Sequence, residues 1–191
     1  TSFFPAKPLG CYGDGGAIFT DDDNIADILR SIRNHGQGSS RYDNVRVGIN
    51  GRMDTIQAAI LLAKLDIFPE ELQLRQTVAQ TYSSLLSSHF SLLSPSVPRG
   101  MLSAWAQYSL LASDSRQRGN ILDRLAASGI PTAVYYPEPL HLQQAFAYLG
   151  YTRGNFPVSE DCANRIFSIP MHPYLTREIQ ENIISVISET A

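Results

Sequence analysis

What the sequence lacks narrows the class of protein that it can encode. Its 191 residues include two cysteines, Cys11 and Cys162, which are too far apart to suggest a metal motif or a disulfide framework. No apolar run reaches the ~18 residues that cross a bilayer. The net charge is −3 and there is no basic stripe to attract nucleic acid. We therefore expect a protein of the reducing cytoplasm that binds no membrane, nucleic acid or metal.

The composition is sufficient for a folded core, with 43% hydrophobic and 17% charged residues. Short helical and strand-like patterns alternate, which predicts a small α/β or α+β layer arrangement. Helices are predicted over residues 24–34, 55–68, 69–88, 115–128, 141–149, 156–165 and from 176 onward, and strands over residues 17–20, 105–112, 132–136 and 167–169. Pro69 is expected to end one helix and open the next. A Ser-, Pro- and Gly-rich stretch predicts a division into domains 1–88 and 89–191.

The first twenty residues place one lysine between two prolines. Pro5 and Pro8 fix the backbone angle φ on either side of Lys7, and Pro8 favours an extended backbone at the lysine itself. The glycine-rich residues 10–16 let another group approach the backbone closely. Lys7 is either a solvated surface charge or a placed amine. A nucleophilic amine must be neutral for part of its cycle although a free lysine has a pKa of about 10.4, and composition does not decide between these interpretations.

A second polar stretch, residues 35–48, contains three glycines and several charges. We predict a loop here, suited to act as a mobile flap over a substrate. His35 is interpreted as a structural group. Arg52 follows the loop, and its planar guanidinium suits the recognition of a carboxylate or phosphate. A surface residue at the start of a helix is the alternative interpretation of Arg52.

Four ordered blocks of sequence resemble the DegT/StrS family of sugar aminotransferases. They are residues 2–10 with 13–17, residues 33–36 with 48–59, residues 136–141 and residues 168–173. The resemblance covers essentially the whole chain and is greatest to the branch that places a 3-amino group on a nucleotide-linked 3-keto-glucuronic acid. It implies an α/β protein of the pyridoxal phosphate (PLP)-dependent transferase fold type I, aspartate-aminotransferase-like. This chain would form the end of the large domain and a small C-terminal α/β domain.

The family resemblance also implies cofactor contacts. Lys7 would attach PLP covalently and then move a proton at the substrate carbon, and the Ser2 hydroxyl would bind the cofactor phosphate. Asn50 would reach the phosphate in the neighbouring subunit of a homodimer with shared active sites. In the family a comparable length of chain precedes the lysine and carries further cofactor contacts. Because the sequence also lacks an initiator Met, we expect a C-terminal portion that is inactive without its N-terminal half.

Substrate contacts are implied in the same way. Arg52 would face an anionic substrate across the subunit interface, and Tyr136 and His141 would line the sugar-nucleotide end. The family often has His-Tyr-Pro where this chain has residues 135–137, Tyr-Tyr-Pro, so the substrate assignment is less constrained than the fold. Dehydratase relatives replace the lysine by histidine, so the presence of Lys7 favours transamination.

The activity implied is amino transfer from glutamate to UDP-3-keto-GlcNAc-uronic acid in the biosynthesis of a surface polysaccharide such as lipopolysaccharide O-antigen. Two alternatives stay open at this point. One is an aminotransferase for a 4-keto-deoxy sugar nucleotide. The other is a non-catalytic dimerisation or regulatory module that keeps the fold without the chemistry.

Overall fold

The structure, a computed structural model, describes residues 1–87 and 91–189. They belong to two compact units, Thr1–Pro69 and Glu70–Ala191. The domain boundary predicted after residue 88 falls on residues 88–90, which lie outside the described residues, so that division stays a prediction. No helix in the described ranges is both long and apolar enough to cross a membrane.

The first unit contains helix α1, Asp23–Arg33, close to the predicted bounds. The Asp22 carboxylate caps it, accepting from the backbone N–H of Asn24 at 2.8 Å and of Ile25 at 3.1 Å. A cap of this kind satisfies donors that have no partner within the helix. The polar run before the helix therefore sets where it begins, as its sequence indicates.

Helix α2, Thr55–Leu86, is a single helix of 32 residues with Pro69 inside it. The predicted break at Pro69 is therefore wrong. Proline removes one backbone donor and crowds the carbonyl four residues earlier, which kinks or breaks many helices. Here the helix packs on both sides of the proline, since Leu61 is buried in the first unit and Tyr82 in the second. Tertiary packing outweighs the local cost.

The second unit is built on a two-stranded antiparallel sheet. Strand β1, Tyr108–Leu111, pairs with β2, Ile166–Ile169, so that Tyr108 lies opposite Ile169. The strand predicted over residues 132–136 is wrong, because an isolated bridge from Ala133 to Ser168 is the pairing found there among the described residues. A proline on each side of that segment limits the ladder, since proline has no N–H to donate.

Three helices complete the second unit: α3, Ser115–Ala127; α4, Pro157–Arg165; and α5, Arg177–Ser188. The helix predicted over residues 141–149 is instead two short 3₁₀ segments, Leu140–Leu142 and Gln144–Leu149. Side chains from the strands and helices form one core, whose largest fully buried members include Tyr82, Tyr108, Leu110, Ile121, Leu125, Phe167, Ile183 and Ile187. Val134 packs against this core, directly before the segment 135–149 that carries two of the predicted site residues.

Candidate functional site

The segment that carries Lys7, residues 1–17, folds back on itself and is called the lysine loop below. The Phe3 N–H donates to the Gly15 carbonyl at 2.8 Å, and the Ala17 N–H donates to the Thr1 carbonyl at 3.0 Å. The strand predicted over residues 17–20 is wrong, because the pairing among the described residues stops at the bridge between Ser2 and Gly16. Pairing within the loop replaces the extended strand.

A buried thiol and two glycines pack the inside of the lysine loop. Cys11 is fully buried, with its Sγ 3.0 Å from the Phe3 carbonyl and 3.1 Å from the Gly13 carbonyl. A Cβ at Gly10 would lie 2.6 Å from the Pro5 carbonyl oxygen, and one at Gly15 would lie 3.0 Å from Cys11 Sγ. A side chain at Gly10 would displace backbone, whereas a side chain at Gly15 would have to push the Cys11 sulfur aside by a few tenths of an ångström.

Lys7 and Ser2 both belong to this loop, and each is hydrogen-bonded to the backbone of Phe4. Both are exposed, and a tight turn carries the lysine, with its N–H donating to the Phe4 carbonyl at 2.8 Å. The Ser2 Oγ accepts from the Phe4 N–H at 3.2 Å, which leaves its O–H free to donate to a ligand. The lysine is accessible, and its backbone is held in place.

Two side chains of α2 anchor the turn that follows the lysine. Lys64 Nζ donates to the Gly10 carbonyl at 2.6 Å and lies 4.9 Å from the centre of the Tyr12 ring. The Gln57 Oε1 accepts from the Tyr12 N–H at 2.8 Å. Neither anchor was predicted from the sequence. Their spacing of seven residues places them on one face of a helix, and this was the available signal.

Residues 34–52, called the arginine loop below, form a hydrogen-bonded hairpin against the end of α1. Its backbone bonds run from the Ile49 N–H to the Ile32 carbonyl at 2.8 Å, from the His35 N–H to the Ile49 carbonyl at 2.9 Å, and from the Gly51 N–H to the Arg33 carbonyl at 2.8 Å. Asn50 and Arg52, both exposed, stand on either side of the last of these bonds. The polar stretch predicted as a flap therefore has a well-bonded base.

Two glycines allow the two sides of the arginine loop to approach each other closely. Gly36 has φ +73°, and a Cβ there would lie 1.7 Å from the Arg46 carbonyl oxygen. A Cβ at Gly48 would lie 2.0 Å from the Gly36 nitrogen. No side chain fits at either position without moving backbone, so the geometry of the loop depends on both glycines.

Arg52 is partly fixed by its neighbours. Its Nη1 donates to Asn34 Oδ1 at 2.6 Å, and the Asn34 amide nitrogen donates to Gln37 Oε1. A guanidinium has five N–H donors, so most of them stay available to an anion. The hydrogen bond to Asn34 therefore orients the exposed Arg52 guanidinium, and because Asn34 is neutral it does not cancel the positive charge.

A cavity of about 570 Å³ lies in the second unit, within the size range of small-molecule sites. Residues 135–141 form one wall, and Phe156, Ser159 and Cys162 contribute to another. Tyr136 is 72% exposed, whereas the His141 side chain is 8% exposed. Both residues predicted for the sugar-nucleotide end therefore lie at one cavity, in different environments.

Glu160, on α4, organises the buried side of that cavity. His141 Nε2 lies 2.9 Å from Glu160 Oε1, and the Gly154 N–H lies 2.8 Å and 3.0 Å from the two carboxylate oxygens. The Phe156 N–H donates to Oε1 at 3.4 Å. Burial alone raises the pKa of the Glu160 carboxyl, but the backbone N–H groups and the imidazole lower it by more, so the pKa lies below its ordinary value. Glu160 was not predicted as a site residue from the sequence.

The lowered pKa of Glu160 predicts an acid-dependent loss of stability. Because the folded pKa is below the unfolded one, about 4.3, its contribution is complete above that pH and disappears as the pH falls through the folded value. Thermal unfolding between pH 6 and pH 3 should show a smaller decrease in Tm for Glu160→Gln than for the wild type. Glu181→Gln, an exposed change on α5, should follow the wild type. Parallel curves for all three proteins would contradict the prediction.

The predicted site residues thus fall into two groups. Ser2, Lys7, Asn50 and Arg52 lie in the unit Thr1–Pro69, on two loops that precede α2, whereas Tyr136 and His141 lie in the unit Glu70–Ala191. Among the residues that the structure describes, no group of three or more His, Cys, Asp or Glu could hold a metal ion.

The donors of the first unit fit PLP by their chemistry. Lys7 supplies an accessible amine for an aldehyde, and the Ser2 hydroxyl and Asn50 amide are donors suited to a phosphate. Arg52 adds a fixed cation suited to an anionic substrate. Lys7 would hold the covalent end of the cofactor, and Ser2 and Asn50 would hold its phosphate end.

Comparison of the sequence with known proteins finds an aminotransferase family and similar proteins that include an aminotransferase and a regulatory protein. Residues 1–188 match the DegT/DnrJ/EryC1/StrS aminotransferase family. The chain is 49% identical over 175 residues to UDP-2-acetamido-2-deoxy-3-oxo-D-glucuronate aminotransferase of Pseudomonas aeruginosa, which covers 92% of this chain and 46% of the relative. It is 40% identical over 190 residues to a pleiotropic regulatory protein of Geobacillus stearothermophilus, covering 98% of this chain and 50% of the relative.

Solved structures show the same likeness. A crystal structure of a DegT DnrJ EryC1 StrS aminotransferase from Brucella abortus superposes with a TM-score of 0.90 at 50% identity, covering 98% of this chain and 49% of that protein. The chain spans about half the length of the curated relatives that it matches.

Proposed function

Because the chain belongs to the DegT/DnrJ/EryC1/StrS aminotransferase family, whose enzymes are PLP-dependent and of fold type I, we propose that it serves in amino transfer to a nucleotide-linked keto sugar. The proposed acceptor is UDP-3-keto-GlcNAc-uronic acid, with glutamate as donor, in cytoplasmic synthesis of a surface polysaccharide. The observation that carries the proposal is the 49% identity to the Pseudomonas aeruginosa enzyme named for that keto sugar.

Lys7 is the proposed catalytic residue. When bound, PLP supplies an electron sink for charge that develops at the substrate carbon. Lys7 Nζ would hold the cofactor covalently. Once an amino donor has taken its place, the free amine would act as the base that takes a proton from the donor carbon and, in the second half-reaction, as the acid that delivers a proton to the acceptor carbon. The lysine loop fixes the backbone at Lys7 through the Phe4 carbonyl, so the long side chain alone has to move.

Ser2 and Asn50 are proposed to bind the cofactor phosphate, Asn50 in the neighbouring subunit of a homodimer. Both residues are exposed in this chain, which suits contacts to groups outside it. Tyr136 and His141 are proposed to line the sugar-nucleotide end, in keeping with the cavity that residues 135–141 border.

The test is turnover in a hybrid enzyme, made by joining this chain to the N-terminal half of the Pseudomonas aeruginosa relative. With PLP and glutamate, the hybrid should aminate the 3-keto-glucuronate sugar nucleotide, and 2-oxoglutarate release reports the rate. The 191-residue chain alone should show no turnover. A hybrid that binds PLP but aminates a 4-keto-deoxy sugar nucleotide instead would contradict the proposed acceptor.

A second candidate function has support in the name of the Geobacillus stearothermophilus relative, a regulatory protein. A non-catalytic dimerisation or regulatory module would keep the two loops and the cavity but would have no need of the Lys7 amine. A folded hybrid that binds PLP without turning over any keto sugar would favour this candidate.

Arg52 provides a test of the acceptor's charge. In the hybrid, Arg52→Lys is expected to raise KM for the carboxylated keto sugar by about tenfold or more, because an ammonium cannot present two parallel N–H groups to a carboxylate. The donor half-reaction with glutamate should be unaffected. Arg30→Lys is the control, since Arg30 pairs with Asp27 on the exposed surface of α1. An unchanged KM in Arg52→Lys would exclude the role.

A further inference from the structure

One carboxylate connects the segments that border the cavity of the second unit. The Glu160 carboxylate lies within hydrogen-bond distance of the His141 imidazole, which belongs to one wall. It also accepts from the N–H groups of Gly154 and Phe156, in the turn before α4. The side chains of His141 and Glu160 are 8% and 10% exposed, so water competes little for these bonds. A buried charge held by several donors is costly to disturb.

We propose that Glu160 is a positioning residue that sets the shape of this cavity by fixing His141 and the turn at residues 154–156. The identity of the ligand, the sugar-nucleotide end of the substrate, rests on the function proposed above. The geometric role of Glu160 does not depend on that identity.

Aromatic contacts extend the effect of the carboxylate. The His141 ring lies against Phe156, with centroids 4.8 Å apart, and Phe156 meets Tyr151 edge-on at 5.0 Å. His141 and Phe156 both line the cavity. If the imidazole loses its partner, rings on both sides of the opening can move.

The bonding pattern selects a carboxylate over an amide. Both Glu160 oxygens accept from Gly154, and Oε1 also accepts from Phe156 and lies within hydrogen-bond distance of His141. Glutamine has one acceptor oxygen, and its NH₂ group would face a backbone donor. Glu160→Gln therefore keeps the size of the side chain but loses part of the network, whereas Glu160→Ala loses all of it.

The first experiment uses the two thiols of the intact chain as reporters. Cys162 lines the cavity, and Cys11 is buried in the other unit. Iodoacetamide should alkylate Cys162 about tenfold faster in Glu160→Ala than in the wild type, with Glu160→Gln between them and Cys11 unchanged. Asp161→Asn is the matched control, because its carboxylate lies one residue away and binds Arg165 instead. Equal Cys162 rates in all four proteins would overturn the proposal.

A second readout separates positioning from general loosening of the fold. In Glu160→Gln, the NMR signals of the His141 imidazole should shift while those of His35 and His172 stay in place. His141→Gln, whose amide can replace the Nε2 donor, should restore the slow Cys162 rate that His141→Ala loses. Shifts of all three imidazoles together, or no rescue by glutamine, would count against a specific role.

A third arm distinguishes this inference from the proposed function. UDP-N-acetylglucosamine is the probe, titrated into the hybrid enzyme carrying each Glu160 variant. Weaker binding by Glu160→Ala but not by Asp161→Asn is the expected result. A wild-type hybrid with no affinity for the probe contradicts the proposed substrate, whereas tight binding by every variant contradicts the role of Glu160.

Discussion

Lys7→Ala in the hybrid enzyme is expected to lower turnover by roughly 10³-fold or more, since it removes both the amine that attaches PLP and the base that moves the proton. The absorbance of PLP bound to the variant should also differ from that of PLP bound to the wild-type hybrid, because the cofactor can no longer be attached to Lys7. Turnover is the decisive measurement. Lys7 is exposed, so a reductive label on its amine would show accessibility and not function.

Two lysine-to-arginine changes act as controls. Lys7 and Lys64 are the lysines of this chain, and both Lys→Arg variants keep a positive charge but no nucleophilic amine. Lys7→Arg should be as inactive as Lys7→Ala. Lys64→Arg should keep most activity, because a guanidinium can still donate to the Gly10 carbonyl. Full turnover in Lys7→Arg would mean that charge alone suffices, and the catalytic assignment of Lys7 would be wrong.

Gly36→Ala is expected to destabilise the chain by about 3 kcal/mol, through backbone strain at positive φ and a clash that the loop cannot relieve. The new Cβ would stand 1.7 Å from the Arg46 carbonyl oxygen, a backbone atom. Because the arginine loop carries Asn50 and Arg52, activity of the hybrid should fall too. Urea unfolding measures the stability change.

Gly150→Ala provides a control with the same backbone angle. Gly150 also has φ +73°, but a Cβ there would meet nothing within 4 Å. Its cost should therefore be the strain alone, about 1 kcal/mol. The difference between the two alanine variants isolates the clash. Equal destabilisation would mean that the close approach in the arginine loop relaxes freely.

Local signals in the sequence predicted much of the fold. The predicted start of α1 is close to the observed one, where Asp22 caps the helix, and Thr176 caps α5 where that helix was predicted to begin, accepting from the Ile179 N–H at 3.4 Å. The resemblance identified the family directly. By contrast, the predicted helix break at Pro69 and the predicted strand over residues 132–136 were wrong. The first depends on tertiary packing and the second on strand pairing, and local sequence patterns contain neither.

Side-chain burial was harder to predict. Ile56 lies in the helix predicted over residues 55–68, at a position where helical periodicity favours burial, yet it is 72% exposed, because periodicity identifies a face and not what covers it. Glu160 looks like any helical glutamate in the sequence, and only the fold brings His141 and the turn at residue 154 to it.

The arginine loop limits how this sequence can diversify. Its base admits no side chain at Gly36 or Gly48, whereas its tip, residues 39–42, is exposed. Insertions, deletions and grafted residues should therefore survive at the tip and fail at the base. A library randomised over residues 39–42 would be the practical starting point for redirecting the protein to other acceptors, with the frame around Arg52 kept constant.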